Sequence, residues 1–176
     1  PKRGLTVVEI MDAIHADKIK AMYILGENPA MSDPDLNHAR EALASLDWLV
    51  VQDIFMTETA YLADVVLPAS AFPEKTGTFS NTDRMVQLGR RALDPPGEAR
   101  QDLWIIQQMA RRMGLAWNYE GEESGVAQVF DEMRHCMPSI AGMTWERLAA
   151  ESGLTYPLQH EGDPGQRQQR TGAEAG

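Results

Sequence analysis

The side chains of this chain that could do chemistry are suited to binding rather than attack. Gly26-Glu27-Asn28-Pro29 closes an apolar run. Gly26 and Pro29 shape a tight turn there, one that lets backbone amides approach a ligand. Asn28 offers a donor and an acceptor in the same turn. Gln52 and Asp53 end a second apolar run, and a carboxylate in that place accepts two hydrogen bonds at once. Lys75 is the one cation of its loop before Arg84, a mobile point charge suited to an anion. Asp102 opens an amphipathic stretch. Each has a plainer reading. Gly and Asn can simply end a strand, and Asp53 can cap a helix starting near Thr57. A loop lysine can be merely solvated, and an acid in a first helical turn is favoured by the helix dipole regardless.

Nucleophilic and metal chemistry find little support. Ser70 is not set in a nucleophile elbow, and His15, His38, His135 and His160 lie scattered without metal-ligand spacing. Cys136 is the single cysteine, which excludes an internal disulfide framework and any cysteine-rich cluster. It reads as a partly buried structural thiol in a reducing, cytoplasmic setting. Met109, Met113 and Met133 read as packing. The net charge of −10 comes with no basic stripe, so nucleic acid is not an expected partner. No run approaches the roughly 18 apolar residues of a membrane helix. With 43% hydrophobic residues, the 176-residue chain can build one sizeable core.

Positioning these residues requires particular elements. Thr6 to Glu9 is a capping-box pattern that opens a helix through about residue 15. Pro1-Lys2-Arg3-Gly4 leads straight into it without a signal-peptide pattern, and the missing initiator Met points to a longer parent. Residues 19–25 form a buried-strand run, Asp33-Pro34 a helix start, and residues 38–46 carry helical spacing. A second strand is expected at 48–55, a short helix at 57–63 and a third strand at 64–67. Such alternation predicts a parallel sheet with helices on both faces, ligands lying beyond the strands' carboxyl ends. The loops there are 26–29, 52–59 and 68–84. Beyond them come a short strand at 85–88 and helices at 100–113, 126–136 and 144–151. Residues 161–176 are expected to be a disordered tail.

Three ordered stretches carry a family resemblance. They are Gly26-Glu27-Asn28-Pro29, TETAYLADVVLPASAFPE at 57–74, and EKTGTFSNTDRMVQ at 74–87 with PGEARQDLWII at 96–106. Together they resemble the molybdopterin oxidoreductase family over roughly residues 5–160. GENPAMSDPDLNHAREAL, VVQDIFMTETAYLADVVLPASAFPEK and MPSIAGMTWERL look most like formate dehydrogenase large subunits. The resemblance implies an α/β, Rossmann-like three-layer domain over residues 1–160, with a mostly parallel sheet and extra C-terminal helices. It implies a bis(molybdopterin guanine dinucleotide) carrying Mo or W in an intact subunit. By position, the dinucleotide contacts fall on Gly26, Asn28, Gln52, Asp53, Lys75 and Asp102. Asp53 would take a ribose diol, Lys75 a diphosphate, and Asp102 the N1–H and 2-amino donors of guanine.

The metal ligand, cluster cysteines and catalytic His/Arg pair of such enzymes lie outside this stretch, so no catalytic or metal-binding residue is assigned and the chain alone is expected to be inactive. Expected partners are the other domains of the same subunit and iron–sulfur and NAD-linked electron-transfer subunits. The alternative is a non-catalytic structural or assembly module of the same fold, as in the cofactor-free complex I relative.

Overall fold

A computed structural model describes residues 3–165, and the fold resolves into two compact units. The first comprises Pro1–Ala71 with Pro95–Ile105, and the second Phe72–Asp94 with Ile106–Gly176.

The first unit is built on a parallel sheet of β1 (Ala21–Leu25), β2 (Trp48–Asp53) and β3 (Val65–Pro68), in that order. Tyr23 lies opposite Val50, Leu25 opposite Gln52, and Asp53 opposite Pro68. Helices α1 (Val7–His15), α2 (Pro29–Ser32) and α3 (Leu36–Ala44) join Met11, Ile14, Ala30 and Leu43 to a core with Ile24, Leu49 and Val51. The expected capping box is present, with Thr6 Oγ1 accepting from Glu9 N and Glu9 accepting from Thr6 N at 2.7 Å. The cap of α3 is Asp35 and not Asp33: Asp35 Oδ1 accepts from His38 N at 3.2 Å, while Asp33 Oδ1 holds Asp35 N. Pro29, expected as the last residue of the 26–29 loop, instead opens the short α2, because its ring pre-sets the first helical turn. The expected helix at 57–63 is only a 3-10 turn, Ala60–Leu62, closed by Thr57 Oγ1 accepting from Ala60 N.

The second unit holds an antiparallel sheet of β4 (Gly77–Ser80), β5 (Met85–Gly89) and β6 (Leu154–Thr155). Its core joins Val86, Phe130, Met143, Leu148 and Leu158. Within it, α5 (Glu122–Cys136) and α6 (Trp145–Ala150) follow α4 (Asp102–Arg112), which enters this unit from Ile106. α5 begins four residues earlier than expected, at Glu122, directly after Gly121 with its φ of +81°. The 68–84 segment is not one loop, since β4 pairs there with β5. Residues 161–165 include a turn in which Asp163 accepts from Gln159 N and Gly165 N. The rest of the expected tail, 166–176, lies outside the described residues. Among the described residues no helix is long and apolar enough to cross a membrane.

Candidate functional site

Parallel strands bring their carboxyl ends to one side of the first unit, and most of the sequence-predicted residues gather there. Gly26 follows β1 with φ +64° and donates its amide to Gln52 O. A Cβ added to it would meet nothing within 4 Å, so backbone conformation alone asks for glycine. Asn28 ties the first loop to the one after β2. Its Oδ1 accepts from Thr59 N at 3.2 Å and Thr59 Oγ1 at 2.8 Å, and its Nδ2 donates to Glu58 at 2.8 Å. Thr59 is fully buried, and its hydroxyl oxygen also takes the amide of Ala30 at 3.0 Å. The loops are therefore stitched side chain to side chain before any ligand is considered. The Asn28 amide holds the Glu58 carboxyl below its usual range, helped by Glu58's own backbone amide and by Arg40.

Gln52 is the centre of the site. Its side chain has no exposed surface, and burying an amide so completely is unfavourable unless every polar atom is paired. Tyr23 Oη donates to Gln52 Oε1, and Gln52 Nε2 donates to Asp102 Oδ1 at 2.6 Å. Asp102 is the first residue of α4, so this chain links the middle of β1, the end of β2 and a helix N-terminus. Partial burial pushes the Tyr23 hydroxyl above its ordinary pKa, and the nearby Asp102 carboxylate adds to the shift. Asp53 uses Oδ1 to accept from Ile54 N at 2.7 Å and Phe55 N at 3.2 Å, which ends the strand and turns the chain. Lys75 belongs to the second unit, half-buried in the turn before β4.

Two participants escape a sequence reading. Tyr23 lies within an apolar strand, and its only local signal is that it alternates with Ile24 to point away from the core. Ser70 lies two residues past β3. It is completely buried, and its Oγ has no partner among the described residues. A buried, unpaired hydroxyl is uncommon in a folded chain and marks a place where a further polar group fits. Among the described residues no group of three His, Cys, Asp or Glu could hold a metal ion.

The parallel sheet with helices packed on it and polar side chains at its strand ends defines an α/β domain. The family description "Molybdopterin oxidoreductase" matches residues 2–112, and the chain belongs to that family. It is 48% identical over 167 residues to the F420-dependent formate dehydrogenase subunit alpha of Methanocaldococcus jannaschii, covering 94% of this chain and 24% of that protein. It is 46% identical over 162 residues to the F420-dependent formate dehydrogenase 2 subunit alpha of Methanococcus maripaludis, covering 92% of this chain and 23% of that one. The chain thus spans about a quarter of the length of these relatives. Among solved structures, acetylene hydratase from Pelobacter acetylenicus superposes with a TM-score of 0.63 at 28% identity, over 86% of this chain and 21% of that one.

Proposed function

We propose that this chain is the dinucleotide-holding domain of a formate dehydrogenase catalytic subunit. Its cofactor there would be a bis(molybdopterin guanine dinucleotide) carrying Mo or W. The observation that carries the reading is the Tyr23–Gln52–Asp102 chain at the carboxyl end of the parallel sheet.

The residues present fit that group. Asp102 would accept the paired donors of guanine, with Gln52 holding the carboxylate in orientation. Gly26 presents bare backbone with open space above it. Ser70 offers a buried hydroxyl still lacking a partner among the described residues. Asn28 would shape the loop that borders the ligand, Asp53 would meet a ribose hydroxyl, and Lys75 would neutralise a diphosphate. When bound, the metal–pterin centre supplies the two-electron chemistry by which formate becomes carbon dioxide. The chain's own part is placement and electrostatics. The 176 residues alone are expected to turn over no formate, since the single cysteine of the sequence cannot hold an iron–sulfur cluster. Iron–sulfur and NAD-linked subunits, in the cytoplasm, complete the proposal.

One observation favours a second reading, a structural module that has kept the fold without the ligand. Asn28 is engaged at both ends of its amide by Thr59 and Glu58, bonds that such a module would also need. Assaying the intact polypeptide for metal, pterin and formate oxidation separates the two. Bound pterin and turnover, both diminished by Asp102→Ala, support the dinucleotide role. An intact assembly free of metal and pterin supports the module.

A further inference from the structure

The Tyr23–Gln52–Asp102 chain has a direction. Asp102 is a carboxylate and only accepts, so it fixes which end of the Gln52 amide faces it, namely Nε2 at 2.6 Å. Gln52 Oε1 is thereby turned to Tyr23, and an amide oxygen also only accepts. Tyr23 must supply the hydrogen. Its hydroxyl has one, and that one points inward to Gln52. Partial burial and the nearby Asp102 charge both favour the neutral phenol. The outward side of Tyr23 Oη is therefore an acceptor with no donor left. It makes no other hydrogen bond among the described residues, and Tyr23 is 40% exposed.

The ring alone does not explain this residue. Phenylalanine would serve a strand as well as tyrosine. Two acceptors, Asp102 and the outward oxygen of Tyr23, are held at the two ends of one carboxamide, so they lie close together. Such a pair repels phosphate and matches the donor side of a ligand. Adenine and cytosine put a ring acceptor beside their amino group, which a carboxylate repels. Guanine carries three hydrogens in a row, N1–H and both of its 2-amino group. A carboxylate takes two of them, and the third is left over.

We propose that Tyr23 Oη accepts this third hydrogen, the amino hydrogen that points away from Asp102. Tyr23 is then a specificity-determining residue of the base site, and not only a support for Gln52. The inference rests on the pairing of Asp102 with guanine and adds to it a second point of contact on the amino group.

Inosine nucleotides test it, since hypoxanthine keeps the N1–H of guanine and lacks the 2-amino group. Calorimetry on the intact polypeptide, purified free of cofactor, measures GDP, IDP and ADP with wild type and Tyr23→Phe. The substitution should weaken GDP about three- to tenfold, the weight of one net hydrogen bond, and leave IDP unchanged. Equal weakening of GDP and IDP overturns the contact, because a loss passed through Gln52 to Asp102 would be felt at the N1–H that both bases share. GDP binding unaltered by the substitution overturns it too. A second measurement needs no variant. N2-methyl-GDP keeps one amino hydrogen for Asp102 and none for Tyr23, so it should bind wild type more weakly than GDP by at least the same factor. Equal binding of the two overturns the proposal. The guanine reading itself fails in a different way: wild type that binds GDP no tighter than ADP has no guanine site, and the Tyr23 contact falls with it.

Discussion

The two units bury their polar side chains to different ends. In the second unit the buried polar residues fasten backbone. Thr76 Oγ1 accepts from Arg91 N at 3.2 Å, and Gln107 takes both the N–H and the carbonyl of Tyr119 at 2.5 and 3.2 Å. In the first unit Gln52 reaches other side chains, Thr59 joins a side chain to a backbone amide, and Ser70 Oγ is unpaired. Fastening backbone is architecture, satisfying groups that cannot turn away. Side-chain networks at strand ends stabilise less reliably and are sensitive to every partner, which suits a surface that must meet a ligand.

That contrast can be broken in order of size. Truncating the fully buried Leu49 in the first unit or Leu158 in the second should cost about 2–5 kcal/mol each by chemical denaturation, equal footing for the two cores. Gly142→Ala should cost about 1–3 kcal/mol, because its new Cβ would lie 2.1 Å from the backbone oxygen of His160. Gly26→Ala, with open space but φ +64°, should cost only about 1–2 kcal/mol of backbone strain. The glutamines give the sharper test. Gln107→Leu strands a backbone donor and acceptor and should cost about 1–3 kcal/mol. Gln52→Leu should cost less than that, since Tyr23 is 40% exposed and its hydroxyl can turn to water. A larger loss at Gln52 than at Gln107 would make the first network architectural too.

The smallest effect is a titration. Tyr23 should ionise above the ordinary tyrosine range in an ultraviolet titration, and Asp102→Asn should bring it part of the way back, since burial is the larger cause. The folded-state pKa is the raised one, so the stability involved is present below the ordinary tyrosine pKa. It is lost as pH rises through the folded value. A Tyr23 titration that Asp102→Asn leaves unmoved would dissociate the two residues.

How much of this was legible follows the range of the interactions. The capping box at Thr6 and Glu9, the three parallel strands and the turn at Gly26 are local patterns, and they were read correctly. Asp33 suggests the helix cap because it precedes Pro34, yet Asp35 lies at the right distance from His38 N. β4 is not legible locally because Gly77-Thr78-Phe79-Ser80 is short and glycine-led, and pairing rather than propensity makes it a strand. β6 is hidden for the same reason, its partner β5 lying some seventy residues earlier in the chain. The link from Tyr23 through Gln52 to Asp102 spans elements far apart in sequence, so no periodicity could announce it. The motifs point to Gln52 and Asp102 separately, and the fold brings them into contact.

The most direct measurement is the guanosine monophosphate released by acid from the intact polypeptide, counted per polypeptide chain, in wild type and Asp102→Asn. Exchanging one carboxylate oxygen for an amide donor should lower the retained nucleotide about tenfold, the weight of one good bidentate base contact. Asp102→Asn holding as much guanine nucleotide as wild type would contradict the assignment of this strand-end network to the dinucleotide.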